Sequence, residues 1–311
     1  MNIHPAIYLL ILVYPTVSIT AETERLINIR DTYPSVSPDS KQLVFQSNRS
    51  GSNQLYIMDL ETKQTRALTD MQSGAETPVF SPDGQNIVFA AYVDEGNNDV
   101  FVMKKDGSDI KRLTFGPGYD GHPHWSTDGT RIVFNSDRTT PDPEASWNER
   151  WHEIFSIKTD SSDLRKHTRC RAVCTYGSLS PDGTKVLYRK VTRTSGLDWG
   201  LRSIEKNSEI FIAEADGTHE INLSNNAAFD GWPVFSPDGK QIAFASNRTG
   251  PALTGQIWLV NPDGSGLRQL SDNSWSHVQP AWSHDGRNIY AYQHKETATE
   301  EFGSIVRISA D

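Results

Sequence analysis

His122, His124, His277 and Gln279 have side chains suited to a transition ion, since imidazole nitrogens and an amide oxygen are competent ligands. Asp31, Asp120, Asp230 and Glu76 could supply the paired carboxylates that glycoside hydrolysis needs at a set separation across a cleft. Neither group carries a tight spacing motif, and no Gly-x-Ser-x-Gly elbow, phosphate loop or zinc-binding helix motif is present. The expectation is therefore no metal, no cofactor and no catalytic residue. Cys170 and Cys174 are the only cysteines, and a disulfide is expected between them in an oxidising compartment. Extended at ~3.3 Å per residue they would stand ~13 Å apart, so the segment must turn for the bond to form. With His167 they would make three metal ligands lacking a fourth. A last group, Trp147, Trp151 and Trp199 with Arg150, Arg193 and Arg202, has the chemistry of a recognition surface: flat rings and planar guanidinium groups. Simple packing of these tryptophans onto the scaffold is the open alternative.

The elements that must position these residues follow from a repeat. "VSPDS", "FSPDG", "WSTDG", "LSPDG", "FSPDG" and "WSHDG" place an Asp at 39, 83, 128, 182, 238 and 285, spaced by 44, 45, 54, 56 and 47 residues. A unit of about that length marks a propeller or an array. Each unit holds four strand signals with Gly, Asp, Asn and Pro in the turns. The fold expected is all-β: a six-bladed β-propeller of four-stranded antiparallel blades. The sixth unit stops after three strands, and "ERLINIRDTYP" aligns with "TRALTDMQSGAETP", Leu26 on Leu68, so an N-terminal strand should complete the last blade.

In this frame the turn aspartates are structural, because Asp accepts nearby backbone N–H groups and Gly supplies positive φ. The aromatic rows Phe80, Trp125, Phe235, Trp282 and Phe45, Phe89, Phe134, Tyr188, Phe244, Tyr290 are core between blades. Arg49, Arg138 and Arg248 recur after the second strand and should brace hairpin tips; Arg138, beside the enlarged loop, is kept as a binding candidate. Function on such a frame lies where the repeat breaks. The residues preceding strand one, Tyr33, Thr77, His122, Tyr176, Trp232 and Gln279, should ring the channel mouth, with His277 nearby. Long loops in blades three and four, carrying the Trp/Arg group, should wall one side of it.

The net charge is −9, so no basic surface argues for nucleic acid or anionic lipid. "MNIHPAIYLLILVYPTVSITAETE" reads as a signal peptide over residues 1–21, with an uncleaved anchor as the alternative and the propeller domain at 22–311. A periplasmic or secreted location follows, with any membrane contact made peripherally through a partner.

The stretch "PVFSPDGKQIAFASNRTG…IWLVNPDGSGLRQLS" resembles the propeller repeat of the TolB family, the Pro-Asp type of WD-like repeat. The resemblance runs over roughly Glu24 to Asp311 and implies a periplasmic binding propeller whose partners dock at the channel mouth. Two departures qualify it: the α/β domain that precedes the TolB propeller and the hydrolase domain of prolyl oligopeptidases are not expected here. The leading expectation is a non-catalytic protein that binds a protein, peptide or glycan at the mouth. A polysaccharide lyase or glycoside hydrolase using the same face is the alternative.

Overall fold

The computed structural model describes residues 23–25, 30–94, 97–116, 118–147, 149–192, 208–250, 254–296 and 301–310. They form six four-stranded antiparallel sheets and no helix. Blade one is Asp31–Val36, Gln42–Ser47, Gln54–Asp59 and Thr65–Ala67, and the next four repeat that order outward from the axis. Blade six takes Ser276–Trp282, Asn288–Glu296 and Glu301–Ser309 from the C-terminal end, and Thr23–Arg25 as its outermost strand. Thr23 lies opposite Ile308, Glu24 opposite Arg307 and Arg25 opposite Val306. Inner strands of successive blades pack against each other, and blade six packs back on blade one. The ring closes as the repeat count required. The proposed signal segment, residues 1–21, lies outside the described residues.

Each Ser-x-Asp turn is a closed hydrogen-bond unit. The Ser37 hydroxyl donates to Asp39 Oδ1 at 2.6 Å, the Lys41 N–H donates to the same oxygen, and Ser37 Oγ accepts the Gln42 N–H. The same bonds recur at Asp83, Asp182 and Asp238. Gly239 after the turn has φ 71°, a value only glycine takes without strain; Ser40 carries the equivalent φ of 57° in blade one.

Apolar side chains from facing blades fill the space between sheets, such as Val44 and Leu55 against Phe89 and Phe101. Phe45, Phe89, Phe134 and Tyr188 each face a ring on the third strand, as in Phe134 on Phe155 with centroids 6.2 Å apart. Blade six departs from the expected row: Tyr290 pairs with Ala281, as Ala243 pairs with Val234, so Ala291 holds the Phe244 position. Tyr290 is still buried, against Val36, Leu43 and Phe45 of blade one.

The recurring arginines brace the frame. Arg49 bonds Asp31 at 2.7 Å, Arg138 bonds Asp120 at 2.5 Å and Arg248 bonds Asp230 at 2.9 Å. Each guanidinium also lies over rings of its own blade, Arg248 over Phe244 and Trp258 and Arg138 over Phe134 and Phe155. The aspartates considered for paired-carboxylate chemistry are buried ion-pair partners, and Arg138 is committed to Asp120. Glu76, the fourth carboxylate considered, accepts from Asn53 Nδ2 at 3.0 Å.

Asp230 is fully buried, and that burial raises its pKa above the usual carboxylate value. Arg248→Ala would leave this charge without its partner, so the variant should lose about 3–5 kcal/mol in denaturant unfolding at pH 7. An acid whose folded pKa is raised gains relative stability as it takes up a proton. The deficit should therefore shrink as the pH is lowered; a deficit independent of pH would mean that Asp230 is solvated.

Candidate functional site

The inner strand of every blade slips register just inside its start, between Thr32 and Ser35, Glu76 and Val79, Gly121 and His124, Thr175 and Ser178, Gly231 and Val234, and Val278 and Ala281. Inside each slip lies one residue with left-handed φ: Tyr33 (52°), Thr77 (50°), His122 (49°), Tyr176 (55°), Trp232 (52°) and Gln279 (56°). Such values are uncommon outside glycine, and here they mark a β-bulge repeated around the ring. Proline follows the left-handed residue in five blades, where its missing N–H matters little because a bulge has already broken the ladder. Gly177 takes that place in blade four, where a Cβ would come within 2.5 Å of Ile154. Two of the freed N–H groups bond across blades: Tyr33 donates to Gln279 Oε1 at 3.0 Å, and Thr77 donates to Gln46 Oε1 at 3.2 Å.

The bulges bring the six expected mouth residues together. Blades one and four stand opposite each other, and the Tyr33 and Tyr176 hydroxyls share a hydrogen bond of 3.2 Å across the axis. His122 lies 4.0 Å from the Tyr176 ring, and the Trp232 ring is 6.0 Å from Tyr176 on the other side. Burial pushes the Tyr33 pKa well above its usual value, with Tyr176 adding to the shift, so this hydroxyl stays neutral. His122 Nδ1 donates to Asn135 Oδ1 at 2.8 Å, yet burial outweighs that bond and lowers the imidazole to about 4. Behind the ring lies an axial cavity of about 290 Å³, walled by all six inner strands. Among the described residues no Asp, Glu, Lys or Arg lines it.

His277 is not part of the mouth. It is buried, with Nε2 3.0 Å from Gln293 Nε2 and its backbone N–H bonded to Gly255 O. Two registers separate it from Gln279, on the covered side of the bulge. Among the described residues no three His, Cys, Asp or Glu side chains converge as a metal site would need.

The blade-three loop packs inward. Trp147, half-buried, sits 4.3 Å from the His152 ring and edge-on to Tyr119 at 6.0 Å. Trp151, also half-buried, lies under the Arg171 guanidinium, and Arg150 bonds Asp137 at 3.1 Å. These two tryptophans thus anchor the wall and keep part of each surface open. Arg193, Trp199 and Arg202 lie outside the described residues. Cys170 and Cys174 are joined, with Arg171 at φ 49° making the necessary turn. Buried Glu153 accepts the Cys170 and Arg171 N–H groups and the Thr168 hydroxyl, so the chain entering the Tyr176 strand is held at several points.

Arg189 escaped the sequence reading. It is 1% exposed, lies over Phe229 at 4.8 Å and is close enough to Tyr33 and Tyr176 to interact with both electrostatically. Its register partners in the other blades are Gln46, Ala90, Asn135, Ala245 and Tyr292. One cation among five neutral residues was the available signal.

Six four-stranded sheets around one axis, with a non-repeating ring of mostly aromatic residues at one end, define a six-bladed β-propeller. The family model described as the TolB beta propeller domain matches residues 32–197 and 201–308, and the chain belongs to that family. It is 27% identical over 259 residues to the Tol-Pal system protein TolB of Francisella tularensis subsp. mediasiatica, covering 80% of this chain and 53% of the relative. It is 26% identical over 255 residues to dipeptidyl-peptidase 5 of Porphyromonas endodontalis, covering 68% and 36%. The chain therefore spans about a third to a half of the length of these curated relatives. Among solved structures, TolB from Acinetobacter baumannii superposes with a TM-score of 0.65 at 24% identity, covering 81% of this chain and 57% of that one. An oligogalacturonate lyase in complex with manganese superposes with a TM-score of 0.60 at 14% identity, covering 95% of each. At these identities the structural likeness concerns the fold alone.

Burial holds His122, His152 and His277 near 4, against 6.5 in an exposed histidine. Between those values the unfolded chain binds protons that the folded one refuses, so stability should fall as pH drops from 6.5 to 4. His122→Gln should remove one histidine's share of that slope, on the order of 1–2 kcal/mol between pH 7 and 5. Denaturant titrations at the two pH values measure it; an unchanged slope would mean that His122 is solvated.

Proposed function

We propose that this chain is an exported, non-catalytic binding propeller that receives a protein or peptide segment at the mouth ring, with the blade-three loop as one wall. The ring carries the reading: one backbone conformation six times over holds residues that vary from blade to blade. A repeating frame needs no such variety, whereas a ligand does. Tyrosine, tryptophan and glutamine offer stacking faces and neutral hydrogen bonds, which suits a peptide segment. The likeness to a Tol-Pal system protein supports an envelope partner and a periplasmic or secreted location, with residues 1–21 as the signal. A glycan on the same aromatic ring is the other ligand to be tested.

The lyase neighbour raises the enzymatic alternative, since that likeness runs over nearly all of both chains. A polyuronate substrate carries a carboxylate on each sugar, and its elimination requires removal of a proton. The mouth ring offers such a substrate hydroxyls and one imidazole but no cationic side chain of its own, and His122 is held neutral. That balance favours binding over turnover.

The test couples capture to a mouth variant. Immobilised protein should retain specific partners from an envelope extract or a glycan array, and Trp232→Ala should weaken that capture. Loss of a central tryptophan at an interface is typically worth ~2 kcal/mol, roughly thirtyfold in affinity, and the melting temperature should barely move. Release of unsaturated or reducing sugars from an acidic polysaccharide, abolished by His122→Ala, would replace the binding reading with the enzymatic one.

A further inference from the structure

The channel has a second end, on the face opposite the mouth. The axial cavity reaches the six Ser-x-Asp turns, where its lining includes Pro38, Pro82, Thr127, Pro181, Pro237 and His284, one from each blade. Thr127 and His284 are exposed and the prolines half-buried, while at the far end the bonded tyrosines close the axis. The aromatic ring is thus a floor, and the turn face is the opening.

Each of those rim residues is followed directly by an exposed aspartate: Asp39, Asp83, Asp128, Asp182, Asp238 and Asp285. Serine hydroxyls and backbone N–H groups hold all six below the usual carboxylate pKa, Asp182 at about 2. The opening therefore wears an ionised collar. Two residues beyond each Asp stand Lys41, Lys240 and Arg287 in blades one, five and six, but Gln85, Thr130 and Thr184 in blades two, three and four. Carboxylates with no cation in their own turn thus gather over one half of the rim; Arg131, Arg165 and Lys166, which line a hollow beside Asp128 and Asp182, are already paired to Asp163 and Glu153.

The interior has the opposite character. Val79, Val234, Ala281 and Trp282 make it largely apolar, and among the described residues no Asp, Glu, Lys or Arg lines it. Ser178, also in the lining, is 3% exposed, and its hydroxyl has no hydrogen-bond partner among the described residues. A buried hydroxyl left unbonded is costly to the free protein. A cavity of about 290 Å³ is at the small end for a ligand site. It suits one large side chain, not a helix or a strand.

We propose that the turn face is a second docking site, separate from the mouth. It takes an aromatic or aliphatic side chain of a protein partner into the axial cavity, while lysines or arginines flanking that side chain face Asp83, Asp128 and Asp182. The charges would steer association and the cavity would hold the anchor.

The probes are a fluorescein-labelled Lys-Lys-Trp-Leu-Lys-Lys peptide with blocked ends and its Glu-Glu-Trp-Leu-Glu-Glu counterpart, titrated with the intact chain by anisotropy at low and at physiological salt. The basic peptide should bind at least tenfold more tightly than the acidic one and weaken as salt is raised. The triple variant Asp83→Asn, Asp128→Asn, Asp182→Asn keeps the Oδ1 acceptor that closes each turn, so it should fold. It should lose tenfold in affinity and most of the salt dependence. Val234→Phe, which fills the cavity, should expel the indole and abolish binding; circular dichroism checks its fold. Equal binding of the two peptides, no binding below millimolar concentration, or basic-peptide binding that survives the triple variant would each overturn the proposal. The triple variant should leave capture at the mouth unchanged, so the two sites fail or stand independently.

Discussion

Six times around the ring the inner strand passes through one left-handed residue, and the side chains gathered on the axis are there because of it. A regular strand would point alternate residues into the two neighbouring blades and leave the axis to the backbone. The bulge breaks that alternation once per blade and turns one extra side chain inward. Its strain, on the order of 1 kcal/mol or more per residue, is offset by the cross-blade amide bonds from Gln279 and Gln46 and by the packing of the aromatic ring. Because the kink belongs to the frame, the residue occupying it is free to vary. That separation lets one repeat carry a specific site.

Charge is handled with the same economy. Asp31, Asp120 and Asp230 enter the protein interior only in company with Arg49, Arg138 and Arg248, whose guanidinium planes lie on rings of the same blade. Groups that at first sight look catalytic are therefore spent on tying the inner strand of a blade to the end of its own second strand. What remains around the channel among the described residues is hydroxyls, the His122 and His124 imidazoles held deprotonated by burial, an amide and indoles. Such a lining presents stacking faces and neutral hydrogen-bonding groups.

The two faces of the ring then differ for a plain reason of topology. Loops between the second and third strands vary in length, and the one in blade three carries Trp147 and Trp151, whereas the tight hairpins at the other end all close through the same Ser-x-Asp unit. One face is varied and uncharged at its centre. The other is uniform and ringed by carboxylates, with a hollow in the middle.

Much of the architecture could be read from spacing alone. Six Asp turns, four strand signals between them and the fragmentary ends led to six blades and to the pairing of Thr23–Arg25 with the last strand, because these are local patterns repeated along the chain. The mouth positions were also legible, since each sits at a constant offset from its turn. The partners of those residues were not. That Tyr33 would meet Tyr176 across the axis, that His277 would turn into the seam between blades five and six, or that Arg189 would be buried beside the tyrosines depends on contacts between residues over a hundred positions apart, or on which side of a bulge a side chain falls. The sequence by itself determined the repeat, the strand order and the turn chemistry, because each rests on neighbours within a few residues. Only the tertiary structure decided which polar groups are consumed by the frame and which are left to face a ligand, because burial and pairing are properties of the closed ring.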